Sequence, residues 1–187
     1  MNALTNYTTQ NELLLNNLMD FYKSENNLTN MLKIITGESK ISLRIVDWFA
    51  TNYAKKNYTL YSIEENDGSS KRFKVYFDYK LKLKAYRKRR FDPFCRWDRI
   101  SIPYKNGTFI ETTIGQLNFF KWAIENKVIQ YIEDHYDDIE DDMNNRNSTS
   151  KKKEIVNSKT RKKREELSVS ATKSIKKEEV EIIVQFN

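Results

Sequence analysis

The chain has 187 residues, 33 Lys/Arg against 26 Asp/Glu, a pI near 9.3, and 39% hydrophobic and 13% aromatic content. That suffices for one domain of ordinary size plus a tail. One Cys excludes an internal disulfide and any multi-Cys metal site, and one His excludes most zinc chemistry.

No run approaches about 18 apolar residues, and the opening MNALTNYTTQ lacks the basic-then-apolar layout of a signal peptide. The expectation is a soluble, intracellular protein without membrane contact. Its charge comes in blocks of alternating sign. Residues 71–99 carry 12 basic and 3 acidic groups, residues 100–145 carry 3 and 9, and residues 146–187 carry 12 and 6.

Thr9 with Glu12 makes a capping box for a first helix, with Leu13, Leu14, Leu18, Met19, Phe21 and Tyr22 at helical spacing. A second helix over residues 27–36 would end at Gly37, where a left-handed residue closes a helix. Ser39 or Ser42 can cap a third, whose stripe is Leu43, Val46, Phe49, Ala50 and Tyr53. Trp48 lies off that stripe and is expected to face a neighbour.

Residues 58–63 alternate as a strand does, and Asp67-Gly68 marks a turn. Phe73, Val75, Phe77, Tyr79, Leu81 and Leu83 then alternate with mostly charged residues, which predicts the second strand of a hairpin. Lys, Leu and Ala are better helix formers, however, and Tyr79, Leu83 and Tyr86 share a helical face. The expectation is strand to about Tyr79, then either more strand or a short basic helix to Arg90. Either way, Lys80, Lys82 and Lys84 should fall largely on the exposed side.

Asp92-Pro93 ends that element, because the residue before proline is pushed out of the α region. A second hairpin follows, residues 97–104 and 108–112, with Asn106-Gly107 at its tip. Thr113 and Gln116 would cap the longest helix, from Ile114 to about Met143. From Arg146 to Lys177 the chain is Lys/Ser/Thr-rich and free of aromatics, the composition of a flexible tail. VEIIVQF, with Val180 and Phe186 at its ends, departs from it and suits an edge strand added to the body or to another subunit, or a short linear anchor that docks on another viral protein.

Three blocks carry a resemblance: SLRIVDWFATNYAKKN, YKLKLKAYRKRRFDPFCRWDRI and ETTIGQLNFFKWAIENKVIQYI. Together, over about residues 41–143, the chain resembles a family of uncharacterised proteins encoded by nucleocytoplasmic large DNA viruses. Where the family pattern has a second basic residue after Cys-Arg, this chain has Trp97. The resemblance implies a viral origin and a setting in the virion or in host cytoplasm, at the viral factory. It implies no mechanism.

The candidate chemistries are thin. Cys95 beside Arg96 has basic neighbours that would favour a thiolate, but a nucleophile needs a positioned base and His135 sits on a helix stripe. Glu133, Asp134, Asp137, Asp138, Glu140, Asp141 and Asp142 crowd one helix end, whereas two-metal nucleases need carboxylates converging from separate elements. No Walker or Rossmann glycine pattern exists among four glycines. Neither catalysis nor a cofactor or metal is expected.

The fold expected is α+β. N-terminal helices pack on a small antiparallel sheet of hairpins, one long helix follows, and a basic C-terminal tail closes the chain. Residues 1–145 form the domain, 146–179 the flexible tail and 180–187 a docking strand. The expected function is nucleic-acid binding, to DNA or RNA, in genome packaging, organisation or gene expression. The basic residues that would carry it are Lys80, Lys82, Lys84, Arg87, Lys88, Arg89 and Arg90. A tail cluster of Lys151, Lys152, Lys153, Arg161, Lys162, Lys163 and Arg164 would serve as a second arm, a nuclear signal or equally a solubilising tail. Tyr76, Tyr79, Tyr86 and Phe91, if exposed, would offer stacking surfaces for a single strand. The alternative is a virion or assembly protein acting through protein contacts.

Overall fold

The computed structural model describes residues 10–64, 67–96, 99–104, 108–157 and 176–179. The Thr9 cap, Trp97, the Asn106-Gly107 tip, residues 161–164 and residues 180–187 lie outside them.

The sequence IGQLNFFKWAIE is apolar on nearly every side, and a helix of that kind belongs in the middle of a fold. Helix α6 (Ile114–Glu125) sits there, with Leu117, Phe119, Phe120, Trp122 and Ala123 all buried. Its start is fixed by the predicted cap. Thr113 Oγ1 accepts the Gln116 backbone N–H at 3.2 Å, and the Thr112 hydroxyl donates to the Gln116 side chain at 3.0 Å.

Helices α1 (Gln10–Tyr22) and α2 (Glu25–Thr36) lean on α6, and the Tyr22 hydroxyl donates to the Leu117 carbonyl at 2.8 Å. As expected, α2 ends at Gly37, in the left-handed region at φ +81°. Ser42 caps α3 (Leu43–Trp48) by accepting the Ile45 N–H at 3.3 Å. A π-helical turn over Phe49–Tyr53 carries α3 directly into α4 (Ala54–Lys56).

Two small antiparallel sheets complete the α+β fold. Strands β1 (Leu60–Glu64) and β2 (Ser70–Lys74) form a hairpin, laid on the helices by Tyr61 and Phe73, whose rings are 5.5 Å apart. The Tyr61 hydroxyl donates to the Asn126 carbonyl at 2.7 Å. Strands β3 (Arg99–Pro103) and β4 (Thr108–Thr113) form the second hairpin, and β5 (Lys176–Glu179) pairs with the far edge of β4.

The structure corrects the expected elements in three places. The strand expected to reach Tyr79 stops at Lys74, and α5 (Val75–Phe91) begins at once. Val75 and Tyr79 are buried with helical spacing, while Phe77 and Leu81 point outward at 61% and 65% exposure. The single helix expected to run from Ile114 to Met143 is three: α6, α7 (Val128–Asp134) and α8 (Tyr136–Asn157). Lys127 adopts left-handed φ +54° at the first break, and His135 leaves helical geometry at the second. Finally, α8 continues past Asn145 to Asn157, and β5 adds a strand inside the stretch expected to be tail.

Helix α5 is fastened to α6 along its whole length. At its start the Trp122 indole donates to Asp78 Oδ1 at 2.7 Å. Tyr79 from its second turn and Phe91 from its end join Phe119 and Trp122 of α6 in a tetrad whose six centroid separations lie between 5.7 and 6.4 Å. At its end Asn118 donates to the Arg90 carbonyl at 2.8 Å. There the two backbones nearly touch, because a Cβ on Gly115 would lie 2.8 Å from the Asp92 carbonyl oxygen and 3.3 Å from that of Arg89.

Two substitutions test this fastening by urea denaturation. Gly115→Ala forces a methyl against main chain and is expected to destabilise by about 1–3 kcal/mol. Phe91→Ala empties the centre of the tetrad and should remove about 3–5 kcal/mol. Changes within a few tenths of a kcal/mol would show that the two helices are not held as described.

Candidate nucleic-acid interface

Because Val75, Tyr79 and Tyr86 turn inward at spacings of four and seven, the charged positions between them divide unequally. Lys80 and Lys84 are exposed on the outer face. Lys82 is half-buried on the inner flank, so the three lysines do not form one row. The lysines thus lie largely on the exposed side, as expected, with Lys82 the exception.

At Arg87 the helix breaks. Its φ of 61° and ψ of 164° lie in a region that only glycine occupies without strain. The break turns the chain so that Arg87, Lys88 and Arg89 are all exposed, with Arg90 half-buried above the Asn118 hydrogen bond. Lys88, Arg89 and Arg90 occupy the last turn, where positive charge complements the helix macrodipole. Asp92 Oδ1 then accepts the Phe94 N–H at 2.9 Å, closing the turn that Pro93 enters.

Beyond the kink an open groove of about 530 Å³ is lined by Lys88, Arg89, Asp92, Phe94, Cys95 and Arg96. Cys95 thus sits among cations, half-buried, with its Cβ facing Gly115. His135 is engaged elsewhere. It stacks on Tyr131 at 4.1 Å, with Nδ1 3.0 Å from the Tyr131 carbonyl. Among the described residues no group of three or more His, Cys, Asp or Glu is placed to hold a metal.

Three cations join the basic face that the site residues named from sequence did not include. Arg72 and Lys74 are exposed on β2, which leads into α5. Lys55, on α4, places its ammonium 5.6 Å from the centroid of Tyr76. No sequence spacing signals Lys55, because it arrives through packing of α4 on α5. Of the expected stacking aromatics, Tyr79 and Phe91 are buried at 7% and 0% exposure, which removes them. Tyr76 and Tyr86 are half-buried, and Phe77, which was not among them, is exposed.

The acidic block faces other elements. Lys56 pairs with Asp142 at 2.6 Å, Lys40 lies 3.5 Å from Asp137, and the Trp48 indole donates to Asp142 at 3.0 Å. Burial pushes Asp142 up, but the Lys56 and Trp48 bonds outweigh it and hold its pKa below the usual value. The break at His135 also changes the helix electrostatics, because Asp137 and Asp138 become the first turn of α8, where the macrodipole favours them. In the tail cluster, Lys151, Lys152 and Lys153 fall on α8, their side chains outside the described set together with Arg161, Lys162, Lys163 and Arg164. Among the described residues no helix is long and apolar enough to cross a membrane.

Behind α5, burial and then the Asp92 charge raise the Asp47 carboxyl from 3.8 to about 7. Burial, Asp47 and Asp92 likewise push the Tyr79 phenol up. A raised acid means that the folded state binds the proton more tightly than the unfolded chain between about pH 4 and 7, so stability falls across that window. Asp47→Asn should flatten the fall, stabilising at pH 8 by up to about 4 kcal/mol and little at pH 4. Thermal melts at the two pH values read this directly. Arg87→Gly should relieve about 1–3 kcal/mol of strain, less up to about 1 kcal/mol for glycine's greater freedom when unfolded. A net gain near 1 kcal/mol is expected, with none for Arg87→Ala, which keeps its Cβ.

Comparison with known proteins bears out the resemblance to large DNA virus proteins. The chain is 51% identical over 129 residues to "Uncharacterized protein L507" of Acanthamoeba polyphaga mimivirus. The match covers 66% of this chain and 49% of the mimivirus protein, so it spans about half the length of that relative. No solved structure matches. A family described as "Family of unknown function (DUF7197)" matches residues 2–187, and the chain belongs to that family.

Proposed function

We propose that this protein binds nucleic acid without catalysing a reaction, through the outer face and kinked end of α5. One observation carries the reading. Lys80, Lys84, Arg87, Lys88 and Arg89 are exposed on an element that α6 holds in place, and Asp137 and Asp142 of the acidic block pair with Lys40 and Lys56 on other elements. An ordered cationic surface retains its phosphate contacts at lower entropic cost than a solvated tail. Arg72, Lys74 and Lys55 extend the same positive field. Such a surface suits packaging, organisation or expression of a viral genome, in the virion, the cytoplasmic factory or the host nucleus.

A second reading, an assembly protein, rests on a different feature. An apolar groove of about 360 Å³ runs between α1, α2 and the end of β3, lined by Met19, Tyr22, Leu28, Ile102, Pro103 and Tyr104 among others. Grooves of this character receive protein segments as readily as small ligands. Pro103→Glu, at an exposed position lining that groove, should weaken an assembly contact there and leave oligonucleotide binding untouched.

The first reading predicts binding of a labelled oligonucleotide of roughly 20 nucleotides by fluorescence anisotropy at about 50 mM salt. Neutralising about six phosphates gives a log–log salt slope between about −4 and −5. Replacing Arg87, Lys88 and Arg89 by Gln should shrink the slope by about 2–3. Arg87→Gly should bind more weakly although the protein is more stable, which separates the interface from the fold. Absence of binding to both DNA and RNA at low salt would sink the proposal.

A further inference from the structure

Phe77, Lys80, Leu81 and Lys84 fall at i, i+3, i+4 and i+7 on α5, one continuous stripe on its outer face. Phe77 and Leu81 are among the most exposed large apolar side chains of the described protein, at 61% and 65%. A single exposed leucine needs no explanation, but here an exposed phenylalanine and leucine are interleaved with lysines on a rigid helix. The Tyr76 ring meets Phe77 edge-on at 6.2 Å, and the Lys55 ammonium lies 5.6 Å from the Tyr76 centroid. Aromatic faces and cations therefore alternate from α4 across the first turns of α5.

We propose that the nucleic acid bound by α5 is single-stranded, with an unpaired base stacked on Phe77 and Leu81 and the adjoining phosphates against Lys80 and Lys84. The inference rests on the nucleic-acid reading above and adds the class of strand. A duplex hides the faces of its bases and offers phosphates and groove edges. Phe77 and Leu81 have no donors or acceptors with which to read those edges. An unpaired base presents a π-face whatever its identity, which a ring flanked by cations accepts. An anionic lipid surface fits less well. A helix lying in a bilayer interface needs a broad apolar face, and this stripe places a lysine beside each of its two apolar residues.

The test uses the full chain and two labelled probes, a single strand of roughly 20 nucleotides and the duplex of the same sequence. Salt titration is followed by anisotropy. Stacking is insensitive to salt, so Phe77→Ala should weaken single-strand binding roughly 10- to 100-fold with the salt slope unchanged. Lys80→Gln with Lys84→Gln should instead reduce the slope, and Phe77→Tyr should retain binding. Duplex binding should be weaker than single-strand binding and indifferent to Phe77→Ala. Phe77 is largely exposed, so its variants should melt with the parent and any loss be one of contact. Equal affinity for both probes, or no effect of Phe77→Ala on the single strand, would overturn this inference and leave nucleic-acid binding standing. Failure to bind either probe overturns both. Binding confined to phosphatidylserine vesicles, and lost in Phe77→Ala, would replace the single strand by a membrane surface.

Discussion

The contact between α5 and α6 is the constraint from which the rest of the structure follows. Gly115 lets the α6 backbone approach the Asp92 and Arg89 carbonyls, which a side chain at that position would forbid. That approach sets where α5 ends and brings the Arg90 carbonyl to Asn118. The aromatic tetrad then fills the space between the helices, each edge-to-face pair adding about 0.5–1.5 kcal/mol beyond simple burial. With the inner face of α5 committed in this way, the charged residues have nowhere to go but outward. The basic surface is therefore a consequence of the apolar packing, not a separate design. Helices α1 and α2 pack on α6, Phe73 of the β1–β2 hairpin lies 6.3 Å from its Trp122 ring, and Phe77, Lys80, Leu81 and Lys84 on the outer face of α5 stay exposed.

Electrostatics reinforces this arrangement. Asp137 and Asp142 meet Lys40 and Lys56, cations of the N-terminal half, and the interruption at His135 turns part of the acidic run into a favourable helix start. Asp137 and Asp142 thus find their cations before α3 and on α4. The strained backbone at Arg87 belongs to the basic region, where a non-glycine residue is held left-handed and three cations point into solvent. A residue chosen for stability alone would be glycine.

Much of this was legible in the sequence because local chemistry decides it. Gly37, Ser42, Thr113 with Gln116, and Asp92-Pro93 mark ends of elements by mechanisms that need no tertiary partner, and all four act as expected. The α+β class follows from the same signals. The start of α5 was misread because Phe77 and Leu81, both exposed, fill the gaps between Val75, Tyr79 and Leu83 and imitate the alternation of a strand. Period alone cannot separate the two when apolar residues face water. The misleading residues are the ones that form the outer stripe. The breaks at Lys127 and His135 carry no glycine or proline, so neither breaker residue marks them in the sequence. Lys55 joins the basic face only through packing of α4 on α5.

The central claim is that phosphate is met by the outer face of α5. Differential acetylation of lysines, with and without a saturating single-stranded oligonucleotide and read by mass spectrometry, tests it most directly. Protection should concentrate on Lys80, Lys84 and Lys88, extend to Lys55 and Lys74, and spare Lys40, which lies beside Asp137. Protection confined to Lys151, Lys152, Lys153, Lys162 and Lys163, with Lys80 and Lys84 as reactive as in the unbound protein, would contradict the account.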